Sequence, residues 1–236
     1  MINSPNKKVV ITTGISLLLI VSGLLVLKFR VGVRQQETSK AFIDRMYQSI
    51  TGFKIPKEEK VQLKEAGASS TYGEILFDSL KIILDDLQLT DQDVFYDLGS
   101  GVGKSVVQVL LTTSVKKAVG IELSPTRCAR ARQAEQILKK EDKVPLDKEF
   151  SLCEGNFLKT DLNDATIIYM NSTCYQSELM QAITEKLSAV PAQNNLRIVS
   201  LKKLPENTTF ELIKEYRLPM TWSKKKGSPV FVYQRT

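Results

Sequence analysis

The stretch Asp97-Leu-Gly-Ser-Gly-Val-Gly103 holds the densest chemistry in this 236-residue chain. Its three alternate glycines stand between an apolar run that reads as a strand and a run that reads as a helix. Glycines so placed let the backbone pass close to a ligand and leave the helix N-terminus open toward it. Glu122 closes the next apolar run, 25 residues after Asp97. An acid there can accept hydrogen bonds from both hydroxyls of a ribose. Two other readings of the loop fail on spacing. Gly103-Lys104-Ser105 ends like a P-loop, but that motif needs a glycine where Leu98 stands. The fourth apolar run ends in Tyr169-Met170-Asn171, with no acid to hold magnesium. A dinucleotide site wants GxGxxG; counted from Gly99 or Gly101, the last position falls on Lys104 or Val106.

The elements that must position these residues follow from periodicity. Glu74 to Gln88 predicts a helix, because Ile75, Leu76, Leu80, Ile83, Leu84 and Leu87 recur at steps suited to one helical face. Strands are expected at 94–97, 118–122, 150–153, 166–170 and 196–201. Helices are expected from Gly103 to about Leu111, from Pro125 to about Lys140 with Ser124 as N-cap, and over 178–190. Segments 208–216 and 229–234 read as a closing antiparallel pair. Strands separated by helices imply right-handed parallel crossovers and an α/β, Rossmann-like fold. Upstream, Phe42, Ile43, Met46, Tyr47 and Ile50 share helical spacing, a face expected to pack on the domain. Residues 54–64 are charge-rich and read as connector.

The Asp-x-Gly-x-Gly-x-Gly pattern resembles motif I of class I S-adenosylmethionine-dependent methyltransferases. From Tyr72 to Gln108 the likeness narrows. A Tyr-Gly-Glu loop, a helix, and then Phe-x-Asp-Leu-Gly-Ser-Gly-Val-Gly-x-x-Val-x-Gln resemble the catalytic domain of the DOT1 family of histone-lysine methyltransferases. Gly120-Ile-Glu122, Gly155-Asn-Phe157-Leu, Asn171, Arg197-Ile-Val-Ser200-Leu-Lys202 and Trp222 before Pro229-Val230 continue it in order, over about residues 66–234. The resemblance implies a mostly parallel seven-stranded sheet with helices on both faces. It also implies S-adenosyl-L-methionine as cofactor and a protein substrate presenting a lysine, with a histone among the candidates. Tyr72 and Glu74 would close over the methionine end of the cofactor. Asp97, Gly99, Gly101, Gly103 and Gln108 would form its central pocket, Glu122 would take the ribose, and Asn156 and Phe157 the adenine. Asn171, Tyr72 and Trp222 would serve the reacting centre and the lysine channel. The chain departs from the family at Asn156, where an aspartate is usual, and at Ser172-Thr173. It departs again at Val232, which falls where a channel tyrosine is expected, with Tyr233 one position later.

Composition sets bounds on the chemistry. Hydrophobic residues make up 42% and charged residues 25%, ordinary values for a folded chain. The absence of histidine removes Ser-His-Asp and Cys-His triads and every His-ligated metal site. Three cysteines without a CxxC pair support neither a zinc cage nor a disulfide framework, and no metal is expected. Methyl transfer needs no histidine base, since the cofactor brings the methyl already activated. The net charge of +7 is uneven. Residues 1–65 hold 11 of the 33 Lys and Arg and 5 of the 26 Asp and Glu, a net of +6, leaving +1 for residues 66–236. Direct nucleic-acid binding is therefore not expected, and Lys224-Lys-Lys226 reads as a solvated hairpin tip. Residues 9–27 are uncharged and about long enough to cross a bilayer. They read as a membrane anchor, rather than a cleaved signal or a buried helix. The expected organisation is a tail at 1–8, a transmembrane anchor at 9–27, a basic juxtamembrane connector with one helix at 28–66, and a methyltransferase domain at 67–236. The expected location is a single-pass membrane protein with its domain in the cytoplasm. The function read from these residues is S-adenosylmethionine-dependent lysine N-methylation. The rivals are a methyltransferase for a non-histone protein or small molecule, and an inactive tethered binding module.

Overall fold

The computed structural model describes residues 37–65 and 67–236. The chain begins with α1 (Ser39–Met46), α2 (Lys57–Glu65) and α3 (Phe77–Leu87). Four strands and two helices then alternate: β1 (Val94–Leu98), α4 (Lys104–Thr112), β2 (Lys117–Glu122), α5 (Pro125–Lys140), β3 (Glu149–Glu154) and β4 (Ile167–Met170). It ends with α6 (Ser177–Ser188), β5 (Arg197–Ser200), β6 (Phe210–Met220) and β7 (Ser223–Arg235).

These strands make one seven-stranded sheet in the order β3-β2-β1-β4-β5-β7-β6. The first five pair in parallel, and β7 runs antiparallel to both β5 and β6. Val94-Phe-Tyr-Asp-Leu98 is buried along its whole length, as a central parallel strand covered on both faces must be. Phe95, Ala118, Ile167, Tyr169, Val199 and Val232 face α3 and α4 on one side. Tyr96, Ile121, Ile168, Met170 and Ile198 face α6 on the other. The order reverses direction between β1 and β4, and a crevice opens at such a switch point beyond the strand ends.

The helix starts follow local chemistry. Ser124 caps α5, its hydroxyl accepting from the Arg127 N–H at 3.2 Å, with Pro125 at the first helical position. Such a cap stabilises a helix by about 1 kcal/mol. Phe42, Ile43, Met46, Tyr47 and Ile50 are all buried, packed with Val102, Val107, Ala134 and Leu138. The charge-rich 54–64 segment is more than connector. It forms most of α2, and its Glu59 is buried against the start of α5, accepting hydrogen bonds from the hydroxyls of Ser124 and Thr126. Burial works against the Glu59 carboxylate, but those bonds and the charge of Arg127 hold its pKa below the usual value.

Two expectations change. Lys224, Lys225 and Lys226 are exposed, yet they lie within β7; the hairpin tip is Thr221-Trp222. The single-pass membrane location is also corrected. No helix among the described residues is long and apolar enough to cross a membrane. Residues 9–27, which carried the expected anchor, lie outside the described residues.

Candidate functional site

The C-terminal ends of β1, β2 and β4 form the floor of a cavity of about 400 Å³. Gly99, Gly101 and Gly103 all take left-handed backbone angles, with φ of 88°, 58° and 81°. A side chain at Gly99 would strike the Tyr175 hydroxyl, and one at Gly101 would strike the Tyr72 ring. Gly103 precedes the first turn of α4, which has no side-chain cap. The Glu122 carboxylate braces the loop. Its Oε2 accepts from the Gly101 N–H and its Oε1 from the Ser124 N–H, both at 2.8 Å. A carboxylate has about four acceptor positions, so each oxygen keeps one for a ligand.

Asp97 is 2% exposed at the centre of this floor. Its Oδ2 accepts from the Ser105 hydroxyl, while its Oδ1 is buried without a hydrogen-bond partner. Burial pushes its pKa up to about 7; the Ser105 bond lowers it and the nearby Glu122 charge raises it. A buried carboxylate oxygen with no partner is costly unless a ligand supplies a donor or a cation.

Residues 67–75 form a strap over this floor, and all but Ser70 line the cavity. Side chains and backbone from distant parts of the sequence pin it. Arg127 donates to the Ser70 carbonyl at 2.7 Å and lies 4.9 Å from the Tyr72 ring centre. Asn171 Nδ2 donates to the Gly73 carbonyl at 2.9 Å. Glu74 and Thr221 exchange backbone contacts at 3.0 Å, the Thr221 hydroxyl accepting from the Glu74 N–H and the Thr221 N–H donating to the Glu74 carbonyl. Within the strap, the Tyr72 hydroxyl donates to Glu74 Oε1 at 2.8 Å, and Lys104 Nζ reaches Glu74 Oε2 at 3.4 Å. Burial and the Glu74 charge hold the Tyr72 phenol well above its ordinary pKa, so it remains a donor. Trp222 packs on Gly73, where a side chain would meet its ring, and is 43% exposed.

Toward β3 the cavity becomes an apolar slot. Phe157 stacks on Tyr175 with ring centres 6.0 Å apart and planes at 29°. Leu123, Leu158 and Leu179 complete its walls. Asn156 Oδ1 accepts from the Leu158 N–H at 2.9 Å, which fixes the turn beneath the slot.

The structure thus brings nine of the expected residues to one cavity: Tyr72, Glu74, Asp97, Gly99, Glu122, Asn156, Phe157, Asn171 and Trp222. Gly101, Gly103 and Gln108 stand behind its wall. Gln108 is buried and donates to the Phe77 carbonyl at 2.8 Å, tying α4 to the start of α3. Neither Val232 nor Tyr233 lines the cavity. Val232 is in the core, and the Tyr233 hydroxyl accepts from the Leu204 N–H at 3.0 Å. The sequence reading missed Tyr169, Tyr175, Arg127 and Lys104 as cavity residues. Lys104 adjoins the glycine loop and was legible from position; the others act through partners remote in sequence. Among the described residues, no group of His, Cys, Asp or Glu is placed to hold a metal ion.

A family model described as "Histone methylation protein DOT1" matches residues 52–221. A histone-lysine N-methyltransferase of Caenorhabditis elegans, H3 lysine-79 specific, is 34% identical over 146 residues, covering 59% of this chain and 15% of that protein. A protein-lysine N-methyltransferase of Saccharolobus islandicus is 29% identical over 104 residues, covering 44% of this chain and 61% of that protein. The chain therefore spans less than two thirds of either relative. Among solved structures, magnesium protoporphyrin IX methyltransferase from Synechocystis, with bound S-adenosylmethionine, is similar with a TM-score of 0.52 at 13% identity, over 86% of this chain and 95% of that one. A tRNA methyltransferase of B. subtilis gives 0.50 at 16% identity, over 68% of this chain and 67% of that one. At such identities the likeness is one of fold, a Rossmann-like class I methyltransferase fold.

Proposed function

Because the chain belongs to the DOT1 histone methylation family, we propose that it transfers a methyl group from S-adenosylmethionine to a lysine ε-amine of a protein. One observation carries this reading. A single cavity is lined by Asp97, which has a partnerless buried carboxylate oxygen, by Glu122, by the stacked Phe157 and Tyr175, and by Tyr72 and Trp222. Each matches one part of the cofactor or the acceptor. The cofactor's ammonium fits Asp97 Oδ1, its ribose hydroxyls fit the remaining acceptor positions of Glu122, and its adenine fits between Phe157 and the leucines beside it. Asn156 marks the polar edge of that slot. Gly99, Gly101 and Gly103 keep the loop close enough for these contacts, and Gln108 holds α4 behind it.

The bound cofactor supplies a methyl group activated on a sulfonium sulfur. The protein's task is position and electrostatics. The acceptor must be a neutral amine, whereas free lysine has a pKa of about 10.4. A narrow aromatic mouth at Tyr72 and Trp222 disfavours the ammonium and lowers that value. Asn171 holds the strap at Gly73 and so sets the distance between roof and reacting centre.

The relatives named for histone H3 make that histone the first substrate to test. The domain's charge gives little help with nucleosomal DNA, since residues 66–236 carry a net of only +1. Free histones and other proteins are therefore tested beside nucleosomes. The purified chain is expected to bind S-adenosylmethionine at one site by calorimetry and to yield methyl-lysine by mass spectrometry. Absence of cofactor binding, or methylation confined to small molecules, overturns the reading.

A further inference from the structure

Tyr169 is 3% exposed and lines the cavity, and its hydroxyl has no hydrogen-bond partner. The other two phenols of the cavity are committed. Tyr72 donates to Glu74, and Tyr175 donates to the Leu98 carbonyl at 2.7 Å. A phenol hydroxyl loses free energy when buried alone, so a partnerless one on a cavity-lining residue points to a ligand group.

The sheet register places this hydroxyl. Gly120, Asp97, Tyr169, Val199 and Val232 pair in sequence across β2, β1, β4, β5 and β7 and form one transverse row. Within it, only Asp97 and Tyr169 carry polar side-chain atoms, and each has one without a partner. Both are buried, and the Asp97 charge together with burial holds the Tyr169 phenol well above its ordinary pKa. It is therefore a neutral hydroxyl that can accept as well as donate. Along the row, Tyr169 lies beyond Asp97 on the side away from Glu122. The nucleoside end therefore belongs to β2 and β3, the cofactor's ammonium to the Asp97 carboxylate, and the space over β4 to whatever comes next. Val232, where the resemblance calls for a phenol, has no hydroxyl; Tyr169 stands two strands away in the same row.

Resting on the lysine-methyltransferase reading, we propose that the Tyr169 hydroxyl accepts a hydrogen bond from the acceptor lysine's ε-amine and so restricts how many methyl groups that amine receives. A neutral primary amine has one lone pair and two N–H groups. When the lone pair points at the methyl donor, an N–H is left for a fixed acceptor. Each methyl added removes one N–H and adds bulk at the nitrogen, and a tertiary amine has none to offer. A hydroxyl at this place therefore favours the unmethylated and monomethylated amine over the dimethylated one.

Tyr169→Phe removes one oxygen and keeps the ring. The full-length wild type and variant are compared on core histones, nucleosomes and a total protein extract, with mono-, di- and trimethyl-lysine resolved by mass spectrometry. Cofactor affinity is measured by calorimetry and stability by thermal melting. The wild type is expected to give mono- and dimethyl-lysine and little trimethyl-lysine. The variant is expected to raise the ratio of trimethylated to less methylated product by roughly threefold to tenfold, the size of one neutral hydrogen bond. Cofactor affinity and melting temperature should hold steady. Trimethylation to completion by the wild type, or an unchanged ratio in the variant, overturns the inference alone. A weakened cofactor also overturns it, assigning the hydroxyl to the cofactor's amine, and a lowered melting temperature assigns it to the fold. A wild type that forms no methyl-lysine defeats the parent reading and this inference with it.

Discussion

The two halves of the cavity are built in different ways. The half over β1, β2 and β3 is built mainly from one continuous stretch of the chain, residues 97–157. Asp97 to Gly103 supply its floor, Glu122 and Ser124 brace it, and Asn156 and Phe157 close it. Most of its hydrogen bonds join side chains to nearby backbone, as when Glu122 accepts from the N–H groups of Gly101 and Ser124. The half over β4 is gathered from residues far apart. Tyr72 to Glu74, Tyr169 to Asn171, and Trp222 meet through contacts such as Asn171 to Gly73 and Thr221 to Glu74. A local motif can be kept intact while the other half changes one residue at a time. Of the positions where the chain departs from the expected family pattern, Ser172, Thr173 and Val232 fall on the side of β4, β5 and β7, and Asn156 falls in the other half.

That contrast can be broken most forcefully at the glycine loop. Gly101→Arg should abolish cofactor binding in calorimetry, because φ is 58° and the Tyr72 ring occupies the space a side chain needs. Retained affinity would detach the loop from the cofactor. Next in size is Asp97→Asn, expected to weaken cofactor binding by about tenfold to a hundredfold, the range for a hydrogen bond to a charged group. The pH dependence sharpens this test. Burial raises the Asp97 pKa to about 7, so at lower pH the acid is protonated and the ligand's ammonium goes unpaired. Affinity should rise with pH through about 7, then fall above about 8 as the ligand's own α-amine loses its proton. The asparagine variant should lose the acidic limb only. An identical acidic limb in both proteins would mean another group is responsible.

Trp222→Ala tests the opposite half. It should raise KM for the protein substrate about tenfold, near the upper range for an aromatic contact, and leave cofactor affinity within about twofold. Equal losses in both would mean the halves are not separable. The smallest effect is expected from Ser124→Ala, which removes the α5 cap and a partner of Glu59. A loss of about 1 kcal/mol should lower the melting temperature by about 2–4 °C. No shift would mean that Glu59 and Thr126 hold the helix start without it.

Sequence legibility follows the same division. Alternation of apolar runs with helical spacing located all seven strands, and Ser124-Pro125 marked the start of α5, because those signals are local. That the loop, the acid and the aromatic share one cavity was legible, since they follow the strand ends of a pattern read along the chain. Glu59 was not, because a glutamate in a charge-rich segment looks solvated until α5 packs against it. Arg127 falls inside the expected α5 and carries no local signal of its own, yet it is buried against Tyr72 and bonded to Gly52 and Ser70. Tyr169 read as part of the fourth strand, and only the pairing of β1 with β4 sets it opposite Asp97. The question of Val232 against Tyr233 dissolved for a similar reason. The pairing of β5 with β7 buries one in each face of the sheet, away from the cavity.

The strap at residues 67–75 has a kinetic meaning. Ser70, Gly73 and Glu74 of this roof are tied to Arg127, Asn171 and Thr221. These three anchors rise from α5, from the end of β4 and from the β6–β7 turn, so the roof must be released at three places to let go. Under the proposed function, exchange of a cofactor held beneath this roof would be a gated event of the kind that takes microseconds to milliseconds. The pace of such a cycle would then be set at the roof, by hydrogen bonds that touch neither the methyl group nor the amine.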